Sequence, residues 1–213
     1  FAAVCFKFFL ATGICCVNYI SFVIVWGWLL GFYLNIIYET AFEIDKLPEI
    51  YLGTSITFLW HILKPFLIFF FTMTVVQLPF ITALMLLKDK GLTYQNMWQP
   101  ELGLPLLLQI LFILGLFLFP MAILTTAVGK DITLLRPDYL VAPILKAFIP
   151  YLTVVALLVA ACLLETRTSQ FESSTFAITA ANLALNLAVQ AIAIIAMRSI
   201  GLFYRHYSCH LPW

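Results

Sequence analysis

Charged residues are scarce in this sequence: Lys, Arg, Asp and Glu together make up 10% of 213 residues. A soluble domain carries about a quarter charged residues, because its surface faces water. Hydrophobic residues supply 64% of the chain instead, and the mean hydropathy is +1.06. This composition excludes an ordinary soluble protein and indicates that most of the surface faces lipid.

Clusters of basic residues are also missing, and the formal net charge is only +1. Binding to phosphate backbones requires clustered Lys and Arg, so the sequence excludes a nucleic-acid partner. The cysteines are odd in number and most lie in apolar runs, which argues against a disulfide framework. They are Cys5, Cys15, Cys16, Cys162 and Cys209.

Catalytic motifs are absent from the sequence as well. It contains no GxSxG nucleophile elbow, no HExxH zinc motif and no glycine-rich phosphate loop. We therefore expect a non-catalytic protein, with no catalytic residue and no cofactor to assign.

Long apolar runs are what the chain has in abundance. A helix needs about 20 apolar residues to cross a hydrocarbon core about 30 Å thick. Five runs satisfy this, at residues 8–37, 66–87, 102–128, 147–164 and 176–197. Residues 51–64 and 134–148 are typical of amphipathic helices at the membrane surface. The sequence predicts an all-α, polytopic transmembrane helix bundle that forms a single integral membrane domain over residues 1–213.

The distribution of basic residues predicts the orientation, because cytoplasmic loops carry an excess of Lys and Arg. With the five predicted spans, seven basic residues lie on one side of the membrane: Lys46, Lys64, Lys130, Arg136, Lys146, Arg198 and Arg205. The other side receives Lys7, Lys88, Lys90 and Arg167. We therefore expect a cytoplasmic C-terminus, and the bacterial inner membrane as the location.

Two kinds of residue repeat along the fifth run. Amide side chains recur every four residues and form a stripe along one helix face, at Asn182, Asn186 and Gln190. A seam of small residues accompanies them, which allows another helix to approach closely: Ala177, Ala181, Ala184 and Ala188. Amides are costly in hydrocarbon, so we expect the stripe to face protein. Because no acid or base accompanies the amides, hydrogen bonding between helices is favoured over a polar cavity wall in a transporter.

Packing is also indicated in the first run, where Gly27 and Gly31 form a GxxxG pair. Residues suited to anchoring at the membrane surface lie near the ends of the runs. Lys and Arg reach the headgroups there, and Tyr and Trp settle at the same depth. These expected anchors are Lys64, Arg198, Tyr204, Arg205 and Trp213.

The histidines raise the question of a bound metal or pigment. His61 could ligate haem or a pigment through a ring nitrogen, but no second histidine lies inside another apolar run. His206, Cys209 and His210 could form part of a metal site, but a closed zinc site usually needs four ligands. We therefore expect interfacial roles for these residues and keep ligand binding as an alternative.

Three segments together give the chain a likeness to a known group of proteins. They are a Gly-aromatic end of the first run with an acidic "LPE" loop, the segment "RPDYLVAPILKAFIPYL", and the ending "RSIGLFYRHYSCHLPW". With these the chain resembles an uncharacterised bacterial family of polytopic membrane domains with an LPE loop and a G-x-x-Y-R ending. The resemblance implies a multi-helix membrane fold and brings no catalytic residue with it.

The resulting hypothesis is an accessory or assembly subunit that binds other membrane proteins, with bound lipids and the bilayer as its surroundings. A component of a transporter or channel for a small molecule or lipid is the first alternative. A haem- or pigment-binding membrane subunit is the second.

Overall fold

The computed structural model describes residues 18–44, 56–88, 103–129, 135–168 and 176–208. Within these ranges the chain forms seven α-helices and no strand. They are α1 (Asn18–Ala41), α2 (Ile56–Val76), α3 (Leu78–Leu87), α4 (Leu104–Gly129), α5 (Pro137–Lys146), α6 (Phe148–Thr168) and α7 (Phe176–Tyr207). The prediction of an all-α fold is confirmed.

Five of these helices contain segments long and apolar enough to cross a membrane. The segments are Val23–Ala41, Leu59–Val76, Leu104–Gly129, Phe148–Glu165 and Ile178–Tyr207. The chain is therefore a multi-pass integral membrane protein.

The second half of α4 lies at the centre of the bundle. Every residue from 119 to 127 is buried, on all sides of the helix. A helix that is apolar all round is suited to such a position, because no face has to meet water. Helices α1, α2, α5, α6 and α7 all contact α4.

Helix α7 lies alongside α1 and runs in the same direction. Gln190 lies beside Tyr33, and further along both helices the Arg205 Nε lies 3.2 Å from a carboxylate oxygen of Glu43. Helix α6 runs the opposite way to α7, because Tyr151 near its start contacts Phe203 near the end of α7, whereas Glu165 near its end contacts Gln190. The C-terminal ends of α1 and α7 and the N-terminal end of α6 therefore lie at the same end of the bundle.

Two glycines let α1 approach α2 closely. A β-carbon added to Gly27 would lie 2.5 Å from the backbone oxygen of Ile62, far inside van der Waals contact. A β-carbon on Gly31 would lie 3.2 Å from Cγ of Pro65. The GxxxG pair thus faces α2, where the absence of side chains makes room for a helix backbone.

The predicted boundaries around the second apolar run are wrong. Residues 56–64 do not form a separate surface helix; they continue through Pro65 as one helix, α2, which ends at Val76. The break comes instead at Gln77, and Pro79 occupies the first turn of α3. Pro79 lies where the first N–H groups of a helix have no partner within that helix, which suits a helix start, whereas α2 continues through Pro65 although that residue also lacks the N–H.

Helix α7 also extends further than predicted, since it runs ten residues beyond Met197 to Tyr207. Gly201 lies in this extension, and the helix continues through it. A β-carbon there would lie 2.7 Å from both the Ile37 carbonyl oxygen and Cβ of Thr40. Gly201 therefore permits close contact between α7 and α1. The short surface helix expected before the fourth run is present as α5.

Candidate functional site

A polar cluster joins α1, α6 and α7 in the apolar interior. The Tyr33 hydroxyl donates a hydrogen bond of 2.6 Å to Oε1 of Gln190. The Gln190 Nε2 in turn donates a bond of 2.8 Å to Oε2 of Glu165. One amide thus links a phenol on α1 to a carboxylate on α6.

The cluster lies deep along the helices that carry it. Gln190 is twelve residues into the segment Ile178–Tyr207, or about 18 Å along the helix axis. Tyr33 is ten residues into Val23–Ala41, or about 15 Å. Glu165 is the last residue of its own segment, Phe148–Glu165. The Glu165 carboxylate, at the end of its own segment, therefore lies beside the middle of the segments in α1 and α7.

Burial makes the hydrogen bonds of the cluster important. Tyr33 is 5% exposed and Gln190 is 9% exposed, whereas Glu165 is only partly buried. A buried amide without partners costs about 1–3 kcal/mol. Here both polar atoms of the Gln190 amide are used, one as acceptor and one as donor, so this cost is avoided.

The surroundings of the cluster differ on its two sides along α7. Toward the start of the helix lies Asn186, which is 2% exposed and donates through Nδ2 to the Asn182 carbonyl at 3.0 Å. Toward the end of the helix the buried residues are apolar, including Ala193, Ala196 and Met197. The buried polar side chains of α7 in the described range are thus Asn186 and Gln190.

The acid in this cluster was not predicted from the sequence. The fourth apolar run ends at Leu164 in sequence, and we expected no acid or base beside the amides. The structure instead gives Gln190 a direct hydrogen bond to Glu165. The available signal was spacing: Glu165 follows Val154, Leu158 and Ala161, all buried, at the three-to-four residue interval of one helix face.

The predicted alanine seam lies on a different face of α7 from the buried amides. Ala181, Ala184 and Ala188 are exposed on the outside of the bundle, while Asn186 and Gln190 are buried. The side chain of Ala177 is outside the described part of the chain. The exposed seam is thus not covered by any helix of this chain that the structure describes.

The residues considered as metal or haem ligands do not come together in the described ranges. His61 is exposed on α2, and the exposed His206 has its Nδ1 3.1 Å from the Leu202 carbonyl oxygen of its own helix. Cys209 and His210 lie outside the described residues. Among the residues that are described, no group of three His, Cys, Asp or Glu side chains is placed to hold a metal ion.

The expected surface anchors have mixed positions. Lys64 and Arg198 are exposed on their helices. Arg205 is paired with Glu43, and the Tyr204 ring centroid lies 6.0 Å from that of Phe42. These two residues tie the end of α7 to the end of α1. Trp213 lies outside the described residues.

Comparison of the chain with protein-family models, curated proteins and solved structures gave no match.

Proposed function

We propose that the chain is a non-catalytic subunit of a larger membrane complex, which binds a transmembrane helix of another protein on the outer face of α7. The observation that carries this proposal is the exposed row of Ala181, Ala184, Ala188 and Ala191. Small residues are enriched where transmembrane helices meet, because they let the backbones approach. A helix face that only meets lipid has no need of four small residues in register.

The spacing of the row supports this proposal further. The four alanines follow one another at intervals of three, four and three residues, and the exposed Ile195 continues the series. Such a spacing averages 3.5 residues, which is the repeat of a left-handed helix pair. The face therefore has the geometry that a packed partner helix requires.

Purification of the chain from its native membrane in mild detergent tests the proposal. We expect it to co-elute with a membrane protein in fixed stoichiometry, measured by native mass spectrometry. The double substitution of Ala184→Leu and Ala188→Leu should release the partner by filling the face. Ala156→Leu, at an exposed alanine of α6, is the matched control and should leave the complex intact. A monodisperse chain without a protein partner contradicts the proposal.

A second candidate is a component of a transporter or channel. The observation that favours it is the Glu165 carboxylate hydrogen-bonded to Gln190 inside the bundle. Ionisable groups inside membrane proteins commonly mark the path of an ion or a proton. A flux carried by the reconstituted chain and abolished by Gln190→Leu and Asn186→Leu, with expression unchanged, would support this candidate. A flux that survives both substitutions removes it.

Location and relationship are proposed on sequence grounds. The excess of Lys and Arg on one side supports a cytoplasmic C-terminus in a bacterial inner membrane. The three sequence segments support membership of the uncharacterised family with the G-x-x-Y-R ending. Tagging the C-terminus with a reporter active only in the cytoplasm tests the orientation, since an inactive reporter would place that end outside.

A further inference from the structure

We propose that α3 and the first half of α4 (residues 104–112) form a two-helix unit that tilts as one body against the rest of the bundle. This inference goes beyond the subunit role and does not depend on it. It rests on a separate apolar cluster within the unit, on a proline near each of its two connections to the bundle, and on a buried amide oxygen between these connections.

The two-helix unit packs separately from the main core. Phe80 of α3 and Leu108 of α4 are buried in a cluster of their own, which shares no residue with the main core. Val76 at the end of α2 belongs to the main core, and Phe117 of α4 packs against it. The boundary between the two bodies therefore falls in two short segments, residues 77–79 and 113–116.

A proline weakens the helix hydrogen bonding at each of these segments. Pro79 has no N–H to donate to the Val75 carbonyl one turn earlier, and Pro120 has none for the Leu116 carbonyl. Sharp bends in helices occur mainly at such positions, and hinges between rigid bodies consist of a few residues that absorb the change in backbone angles. Both connections of the unit thus have a point at which they can bend.

Gln77 lies between the two connections and is incompletely hydrogen-bonded. Its Nε2 donates to the Phe112 carbonyl at 3.3 Å, and this contact determines which end of the amide is the oxygen. The Oε1 atom lies only 2.5 Å from where a β-carbon of Gly115 would be, and it has no hydrogen-bond partner within the described ranges. Because a buried polar atom without a partner is unfavourable, the packed arrangement is opposed by one in which the unit tilts away and this oxygen meets water.

Distances between pairs of spin labels, measured by pulsed electron spin resonance, test the proposal. The full chain without its native cysteines is placed in phosphatidylcholine vesicles, and all label sites are exposed. Leu86→Cys of α3 and Ile110→Cys of α4 are each paired with Ile149→Cys of α6. The control pair joins Ile149→Cys to Ile195→Cys of α7, within the main bundle.

Helix α6 is a suitable reference, because the Tyr151 hydroxyl donates to the Phe117 carbonyl and so ties α6 to the second half of α4. We expect both test pairs to show a second distance population that the control pair lacks. A single population as narrow as that of the control overturns the proposal. A second population confined to the label at position 86 also overturns it, since α3 would then move without α4.

Replacement of the two prolines tests where the unit bends. Pro79→Ala combined with Pro120→Ala supplies an N–H donor for each carbonyl and should reduce the second population. Pro137→Ala, at the first position of α5, is the matched control and should leave it unchanged, because an N–H there has no partner within the helix. An undiminished second population in the double variant contradicts the proposed hinges. The first measurement retains all prolines, so it decides the proposal even where the double variant fails to fold.

Discussion

Gln190 holds together groups that could not otherwise be buried. Its amide accepts from the Tyr33 hydroxyl at 2.6 Å and donates to Glu165 at 2.8 Å. No other common side chain of this length offers both a donor and an acceptor without charge. The residue thus connects α1 to α6 through α7.

Replacing Gln190 with Leu should lower the free energy of unfolding by about 1–3 kcal/mol, because Tyr33 and Glu165 each lose this hydrogen bond. Individual hydrogen bonds in membrane proteins contribute about 0.6 kcal/mol on average, so a loss above that value indicates that both bonds of the Gln190 amide contribute to stability. Denaturant titration in mixed micelles measures the change. Asn35→Leu, at an exposed amide of α1, is the control and should alter the value little. Equal losses in the two variants would contradict this role of Gln190.

Glu43 has a backbone conformation that normally belongs to glycine. Its φ is 65°, and the following N–H of Ile44 donates to the Glu39 carbonyl at 2.8 Å, which closes the end of α1 as a Schellman motif. A left-handed conformation costs an L-residue about 1–2 kcal/mol. The ion pair with Arg205 offsets little of this, because the Glu43 side chain is 69% exposed and such pairs contribute about 0–1 kcal/mol.

Glu43→Gly should therefore leave stability unchanged or raise it by up to about 1 kcal/mol, since relief of strain exceeds the lost ion pair. Glu43→Gln removes the same charge but retains the strain, so it should be slightly destabilising. Thermal unfolding in detergent compares the two variants. A Glu43→Gly protein less stable than Glu43→Gln would show that the conformation is not strained.

At the scale of helices, the contact of α1 with α2 depends on the two glycines to different extents. The added β-carbon would meet a backbone oxygen at 2.5 Å from Gly27, but a proline ring carbon at 3.2 Å from Gly31. Backbone atoms of a helix cannot move aside easily, whereas a ring can shift by a few tenths of an ångström. Gly27 is thus the point of closest approach.

Gly27→Ala should destabilise the protein by about 1–3 kcal/mol, as overpacked substitutions commonly do. Gly31→Ala should be close to neutral, because alanine's helix propensity, up to about 1 kcal/mol better than glycine's, offsets the mild contact. Unfolding of both variants under the same detergent conditions gives the comparison. A larger loss for Gly31→Ala than for Gly27→Ala would contradict the packing described.

Sequence patterns located the elements better than their ends. Five apolar runs were enough to predict the spanning helices, because the length needed to cross lipid is fixed. The break at Gln77 was missed because Pro65 and Pro79 look alike in sequence; Pro79 lies at the start of a helix, while Pro65 is accommodated beside Gly31. Which of two prolines interrupts a helix depends on its packing, which periodicity does not contain.

The sequence predicted the amides of the candidate site but not their hydrogen-bond partners. The amides at positions 182, 186 and 190 were found from their spacing, since polar residues four apart share a helix face. Their partners were not found, because Tyr33 is 157 residues from Gln190 along the chain. Contacts between residues so far apart in sequence depend on which helices pack against each other and in which rotation. The same limit explains why the alanines and amides were expected to face protein together, although the structure separates them.

For the molecule as a whole, the direction of α7 determines what each of its faces meets. The residues at 186, 190, 193, 196, 197 and 200 point into the bundle, and those at 181, 184, 188 and 191 point outward. Parallel packing against α1 and antiparallel packing against α6 fix this rotation. The polar cluster and the exposed alanine row are both consequences of it.

Scanning α7 with spin labels tests this rotation most directly. Single cysteines are introduced at positions 181 to 200 in a background without the native cysteines, and the chain is placed in lipid vesicles. The accessibility of each label to oxygen, which concentrates in the hydrocarbon, is then measured. The packing of α7 predicts high values at 181, 184, 188 and 191 and low values at 186, 190, 193 and 197. If the labels at 186 and 190 are the most accessible, α7 does not face inward with its amides and the polar cluster does not exist.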